Sequence, residues 1–184
     1  MCSSDLVQLL RGERRWEDAH ALVSAALAAA PDDTGLVYEQ AMLVERLGRL
    51  DEMETLLRRV IAARPDDAQA YNALGYSLAE RGLRLDEAGT LIRRALVLAA
   101  GDPYIVDSLG WLEFRMGRLE EAERLLRRAW GSRPHPEVAA HLGEVLWTQG
   151  RRDEAVAIWR EGLQSGSDTD SLIETLRRLK APLP

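Results

Sequence analysis

Cysteine is almost missing from this chain: Cys2 is the one thiol among 184 residues, so neither an intrachain disulfide nor a cysteine-built zinc cage can form. Long apolar runs are missing as well. No stretch of 18 or more apolar residues occurs, which excludes a membrane-spanning helix from the visible chain, and the opening residues lack the charged-then-apolar order of a secretory signal. Nor is there an excess of positive charge. Thirty acidic against 24 basic residues leave a net charge of -6, which works against adhesion to nucleic acid or to an anionic membrane.

Catalytic signatures are equally scarce. No serine stands in a Gly-x-Ser-x-Gly context, Cys2 has no neighbouring histidine in sequence, and no glycine loop is spaced to cradle phosphate. His20, His135 and His141 are the only imidazoles, and the last two are six residues apart around Pro136, so they do not share a helical face as paired metal ligands would. All three read as surface or boundary histidines. The expectation is a non-enzymatic chain without cofactor or metal.

What is present is repetition. An acid-acid-small step recurs as WEDAHAL, LDEMETL, LDEAGTL, LEEAERL and RDEAVAI, with the compact position at Ala19, Met53, Ala88, Ala122 and Ala155. The spacings are 34, 35, 34 and 33, a period that belongs to repeat architectures. Seven residues on, a second compact position falls at Ala26, Val60, Ala95, Ala129 and Gly162, and between the two sits a bulky residue: Val23, Leu57, Ile92, Leu126, Trp159. This stripe of small, large and small residues on one helical face lets a neighbouring helix approach while a knob fills the groove.

The preceding helix of each unit carries Leu74-Gly75, Leu109-Gly110 or Leu142-Gly143, with Gln40-Ala41 in a weaker second unit. Glycine there removes a side chain where two helices would collide. Gly48, Gly82, Gly117 and Gly150 stand where the paired helices turn, as left-handed caps, with Arg14 in the first unit. Pro31, Pro65, Pro103, Pro134 and Pro136 punctuate the boundaries between units. The acid pairs fall in the first turn of every second helix, where the helix dipole favours negative charge. The arginine pairs Arg58-Arg59, Arg93-Arg94 and Arg127-Arg128 lie about two turns further on, so the ladder they form reads as a salt-bridged outer face rather than a nucleic-acid surface.

Two helices per 34 residues with this stripe resemble the tetratricopeptide repeat over nearly the whole chain. The implied fold is all-α, a right-handed α-solenoid of tandem helix-turn-helix units. The units expected are a truncated one over 7–33, then 34–67, 68–102, 103–135 and 136–168, with a C-terminal capping helix and tail over 169–184. The runs DSLGWLEFRMGRLEEAERLLRRAW and PEVAAHLGEVLWTQGRRDEAVAIW further resemble the C-terminal repeats of Gram-negative tetratricopeptide lipoproteins of the outer membrane, which partner a C-terminal processing protease. That resemblance implies a scaffold on the periplasmic face of the outer membrane; without it, a cytoplasmic one. The sequence shows neither the signal nor the lipobox of those proteins and spans only a few of their repeats.

The first six residues, MCSSDL, are what GTG TGC TCT TCC GAT CT encodes when GTG is the start codon, the end of a common sequencing adapter. Residues 1–6 are therefore expected to be non-native, with the true N-terminus upstream. The alternative is a mature lipoprotein start in which Cys2 carries the lipid.

In a solenoid of this kind the first helix of each unit lines the concave side. On that frame the partner-binding groove comprises Tyr38, Met42, Arg46, Asn72, Tyr76, Tyr104, Asp107, Trp111, Phe114, Arg115, Glu144 and Trp147, with Glu45, Glu80 and Thr148 beside them. Six of the ten aromatic residues are in this set, and aromatic and methionine side chains are frequent binding anchors. The expected partner is a protein or peptide bound as an extended segment or helix, centred on Trp111, Phe114 and Trp147. Core packing is the competing role for each of those rings. The lysines and asparagines of chaperone-tail-binding relatives are absent apart from Asn72, so acidic chaperone tails are not expected partners. The competing function is a structural spacer within a larger repeat protein, or a regulatory accessory subunit of a protease or cell-wall enzyme.

Overall fold

The structure, a computed structural model, describes residues 3–166 and 168–182. Cys2, on which the lipid-bearing alternative depends, lies outside the described residues. The described residues form helices and no strand: α1 Ser3–Gly12, α2 Trp16–Ala29, α3 Thr34–Arg46, α4 Leu50–Ala63, α5 Ala68–Glu80, α6 Leu85–Leu98, α7 Pro103–Arg115, α8 Leu119–Ser132, α9 Pro136–Thr148, α10 Arg152–Gly162 and α11 Asp170–Leu179. None is long and apolar enough to cross a membrane. The chain divides inside α5 into two compact units, Met1–Leu74 and Gly75–Pro184.

Local chemistry sets the helix ends. Asp33 and Asp102 each accept two backbone N–H bonds from the first turns of α3 and α7, and Asp67 accepts one from Ala70. Pro103 and Pro136 occupy the first turns of α7 and α9, where the missing N–H costs nothing. The turns inside the pairs are left-handed at Gly48, Gly82, Gly117 and Gly150, with φ of 73°, 65°, 78° and 82°. Arg14 takes the same conformation at φ 57°, the position where the sequence replaces glycine by arginine. An arginine precedes each second helix. Arg15, Arg49, Arg84 and Arg151 reach an acid three residues on, Asp18, Glu52, Glu87 and Glu154, at 2.8, 2.6, 3.4 and 2.7 Å.

In the first unit Val7, Leu10, Ala19, Val23 and Leu43 form a core, with Trp16, Leu22 and Leu27 packed on it. Met53, Leu57 and Val60 of α4 are fully buried. In the second unit Ala122, Leu126, Leu142, Leu146, Ala155, Trp159 and Leu172 belong to one continuous core spanning α8 to α11. The large residues of the stripe are all buried, and the glycines opposite them make room. A Cβ on Gly75 would lie 2.7 Å from Ile92 Cγ1, and one on Gly110 would lie 2.7 Å from Leu126 Cγ, both inside van der Waals contact. Gly143 faces the Trp159 indole in the same way. The first helix stays close because the second helix brings a large side chain where the first brings none.

Candidate functional site: the first-helix face of the second unit

Two first helices and half of a third carry this face: α5 from Gly75, α7 and α9, with α11 packed against α9. At its centre is His141, 6% exposed. Its Nδ1–H donates to both carboxylate oxygens of Asp107 at 3.0 Å, and its Nε2 meets the Tyr76 hydroxyl at 3.2 Å. The Trp111 ring lies over the imidazole, 4.3 Å between centroids and 19° from parallel. Trp111 in turn donates its indole N–H to Glu80 at 2.5 Å and touches Phe114 at 5.0 Å. Arg115 lies over the Trp111 ring at 5.9 Å and donates to the Glu80 carbonyl.

Electrostatics follow from this geometry. Burial alone would lower the His141 pKa, but the charge and hydrogen bond of Asp107, with Glu137 and Glu80 behind them, outweigh it and push it up to about 9. The imidazole is therefore an imidazolium at neutral pH, a cation stacked on an indole face. Burial, and then the charges of Glu137, Glu80 and Asp107, raise the Tyr76 hydroxyl well above its ordinary value. It stays a neutral phenol. Through these contacts the imidazolium ties α9 to α7 and α5. Among the described residues no three His, Cys, Asp or Glu side chains are placed to hold a metal ion.

The structure sorts the sequence-selected residues into five groups. Tyr76, Asp107, Trp111, Phe114 and Arg115 come together around His141. Glu144 is buried under Arg178 of α11, which holds it through two hydrogen bonds of 2.7 and 2.5 Å, and the Arg178 pKa is raised by that contact. Trp147 stands apart from Trp111, half-buried against Trp159 at 5.4 Å with Arg152 over its ring at 3.6 Å. Tyr104 is half-buried at the start of α7 between Arg133, 5.3 Å over its ring, and His135, 5.6 Å edge-on.

Tyr38, Met42, Arg46 and Asn72 belong to the first unit. Tyr38 is half-buried with its pKa raised by burial and then by Asp67, Glu45 and Glu39; Arg46 lies 5.7 Å over the Trp16 ring. Met42 is half-buried, and the Asn72 side-chain oxygen is buried without a hydrogen-bond partner.

One histidine reading is corrected here. His20 and His135 are half-buried, His135 as the N-cap of α9, but His141 is neither surface nor boundary. Pairing with Asp107, 34 residues away, is what makes an imidazole tolerable in the interior. The available signal was its slot: the equivalent residues of α5 and α7, just before the glycine-preceding leucine, are the small Ala73 and Ser108.

The chain is 48% identical over 137 residues to a TPR repeat-containing protein of Pseudomonas aeruginosa, an alignment covering 74% of the chain. The chain spans only 23% of that relative's length. Among solved structures it resembles a thermophilic TPR protein of Thermus thermophilus, with a TM-score of 0.82 at 22% identity over 97% of this chain and 100% of the other. Pseudomonas aeruginosa pilF gives 0.70 at 18% identity over 97% and 84%, and MamA of Desulfovibrio magneticus RS-1 gives 0.67 at 16% over 88% and 92%. Repeats of this kind suggest a protein-interaction scaffold, and proteins built from them are generally non-enzymatic. Tetratricopeptide repeat family models match residues 10–75, 54–103 and 108–170, nearly the whole length, and the chain belongs to the tetratricopeptide repeat family.

Proposed function

We propose that the chain is a non-enzymatic adaptor that holds a peptide or helix of a protein partner along the first-helix face of its second unit. The observation that carries this reading is a set of half-buried aromatics, Tyr76, Tyr104, Phe114 and Trp147, on the same first helices that carry the exposed Glu80 and Thr148. Rings at half exposure bury large area on binding at low entropic cost. Asp107, Trp111 and Glu144 form the floor of this surface, and the anchors are the rings around them. The finer form of the proposal is a place in a bacterial envelope assembly. It rests on the resemblance carried by residues 107–130 and 136–159.

A photo-crosslinking amino acid at Thr148 or Glu80 should capture one partner in common. The same amino acid at Val97, 74% exposed on α6, should not. Equal capture at all three positions would remove the face from the proposal. A second reading, the structural spacer, has one observation in its favour: Trp111 is only 3% exposed. On that reading no position on this face captures a partner.

A further inference from the structure

His141 does more than fill a core position. It is the meeting point of three helices whose contributing residues lie far apart in sequence: Tyr76 of α5, Asp107 and Trp111 of α7, and His141 itself on α9. Both ring nitrogens and one ring face are in use. The two hydrogen bonds do not need the charge, because a neutral imidazole still donates from Nδ1 to Asp107 and accepts at Nε2 from the Tyr76 hydroxyl. Two other contacts do. The buried Asp107 carboxylate, 4% exposed, loses its counter-charge when the ring is neutral, and the stack on Trp111 loses its cation. Trp111 is also held from the far end by Glu80 on α5, so a change in the stack has a lever on a third helix.

The groups facing the ring are Asp107 on α7, Tyr76 and Glu80 on α5, and Glu137 on α9 itself. Glu144 on α9 is already paired with Arg178 of α11. The sides that α8 and α10 turn toward α9 are apolar, with Leu126, Ala155 and Trp159. Carboxylates therefore lie on the polar side of the imidazolium; Glu80 also has Arg115 at 3.9 Å, and the His141 proton is the charge that balances Asp107.

We propose that the His141 proton is a lock on Trp111: while it is present the indole lies flat on the imidazolium, and when it leaves, Trp111 comes off the stack while the hydrogen bonds to Asp107 and Tyr76 stay in place. The lock is independent of whether a partner uses the face. With the His141 pKa at about 9, the locked form is the one present at neutral pH.

The test is an NMR titration of the full chain from pH 6 to 10.5, following the His141 ring carbon and the Trp111 indole N–H, each assigned by its variant. Both signals should move together with a midpoint near 9. Asp107→Asn keeps the shape but removes the charge, and it should lower both midpoints by about two pH units. In His141→Gln the Trp111 signal should show no step. Should His141→Gln fail to fold by circular dichroism, the Asp107→Asn shift decides alone. The proposal is overturned if the Trp111 signal stays flat while His141 titrates, if the His141 midpoint lies at or below 6.5, or if Asp107→Asn leaves the Trp111 midpoint in place.

Discussion

The two sides of the second unit use similar residues to opposite ends. On the outer side, Arg124 pairs with Glu121 at 2.5 Å and Arg127 with Glu123 at 2.8 Å, one turn apart on α8, with Arg124, Glu121 and Arg127 open to water and Glu123 half-buried. On the first-helix side Asp107 pairs with His141 and Glu144 with Arg178, each 34 residues apart in sequence and each with its acid buried. Outer pairs trade hydration for an attraction that water already screens. Inner pairs have given up their hydration, so each partner depends on the other. The difference lies in what is left behind when one member is removed.

The largest test of that difference is Asp107→Ala, which strands His141 without its carboxylate. It should cost about 3 kcal/mol in urea unfolding, and a loss under about 1 kcal/mol would place the pair with the outer ones. Next is pH. The His141 pKa is raised when folded, so its contribution is fully present below the ordinary value of 6.5 and is lost as pH rises through about 9. Thermal melts should therefore fall in Tm between pH 7 and pH 10, and His141→Gln should flatten that slope; an unchanged slope would assign it to other groups.

Arg178→Ala leaves Glu144 buried and unpaired, but Arg178 is itself half-exposed and water can enter. The expected loss is about 1.5 kcal/mol, also read by urea unfolding. At the small end, Glu121→Ala should leave Tm within experimental error, since both members of its pair stand in solvent. A drop as large as that of Arg178→Ala would erase the distinction between the two sides.

The same contrast explains what could be read from the sequence. The small, large, small stripe repeats because every unit solves the same packing problem, and Ala88, Ile92 and Ala95, or Ala122, Leu126 and Ala129, are buried as their period implies. The turn glycines repeat for the same reason, down to the left-handed Arg14. Asp107 and His141 do not repeat. Relative to the leucine of each Leu-Gly step, Asp107 is two residues before Leu109 and His141 is one before Leu142, so no alignment of units brings them together. Their pairing depends on how α7 lies beside α9, and periodicity carries no record of that. Phe114 and Trp147 illustrate the same limit: each stands four residues after the glycine of its Leu-Gly step, yet Phe114 lies against Trp111 and Trp147 against Trp159 with Arg152 over its ring.

The period of 35 between Met53 and Ala88, against 34 on either side, also has a physical outcome. The additional residue sits in the turn between α5 and α6, where Leu83 is pushed 46% into solvent and Arg84 takes a left-handed φ of 44°. The Ala88, Ile92 and Ala95 stripe that follows is nonetheless fully buried, so the change in length was absorbed before the helix began. For an engineer this makes Leu83–Arg84 the natural splice point: a fluorophore, an affinity tag or a short peptide inserted there lengthens a turn that has already been lengthened once, and leaves the register of both helices alone.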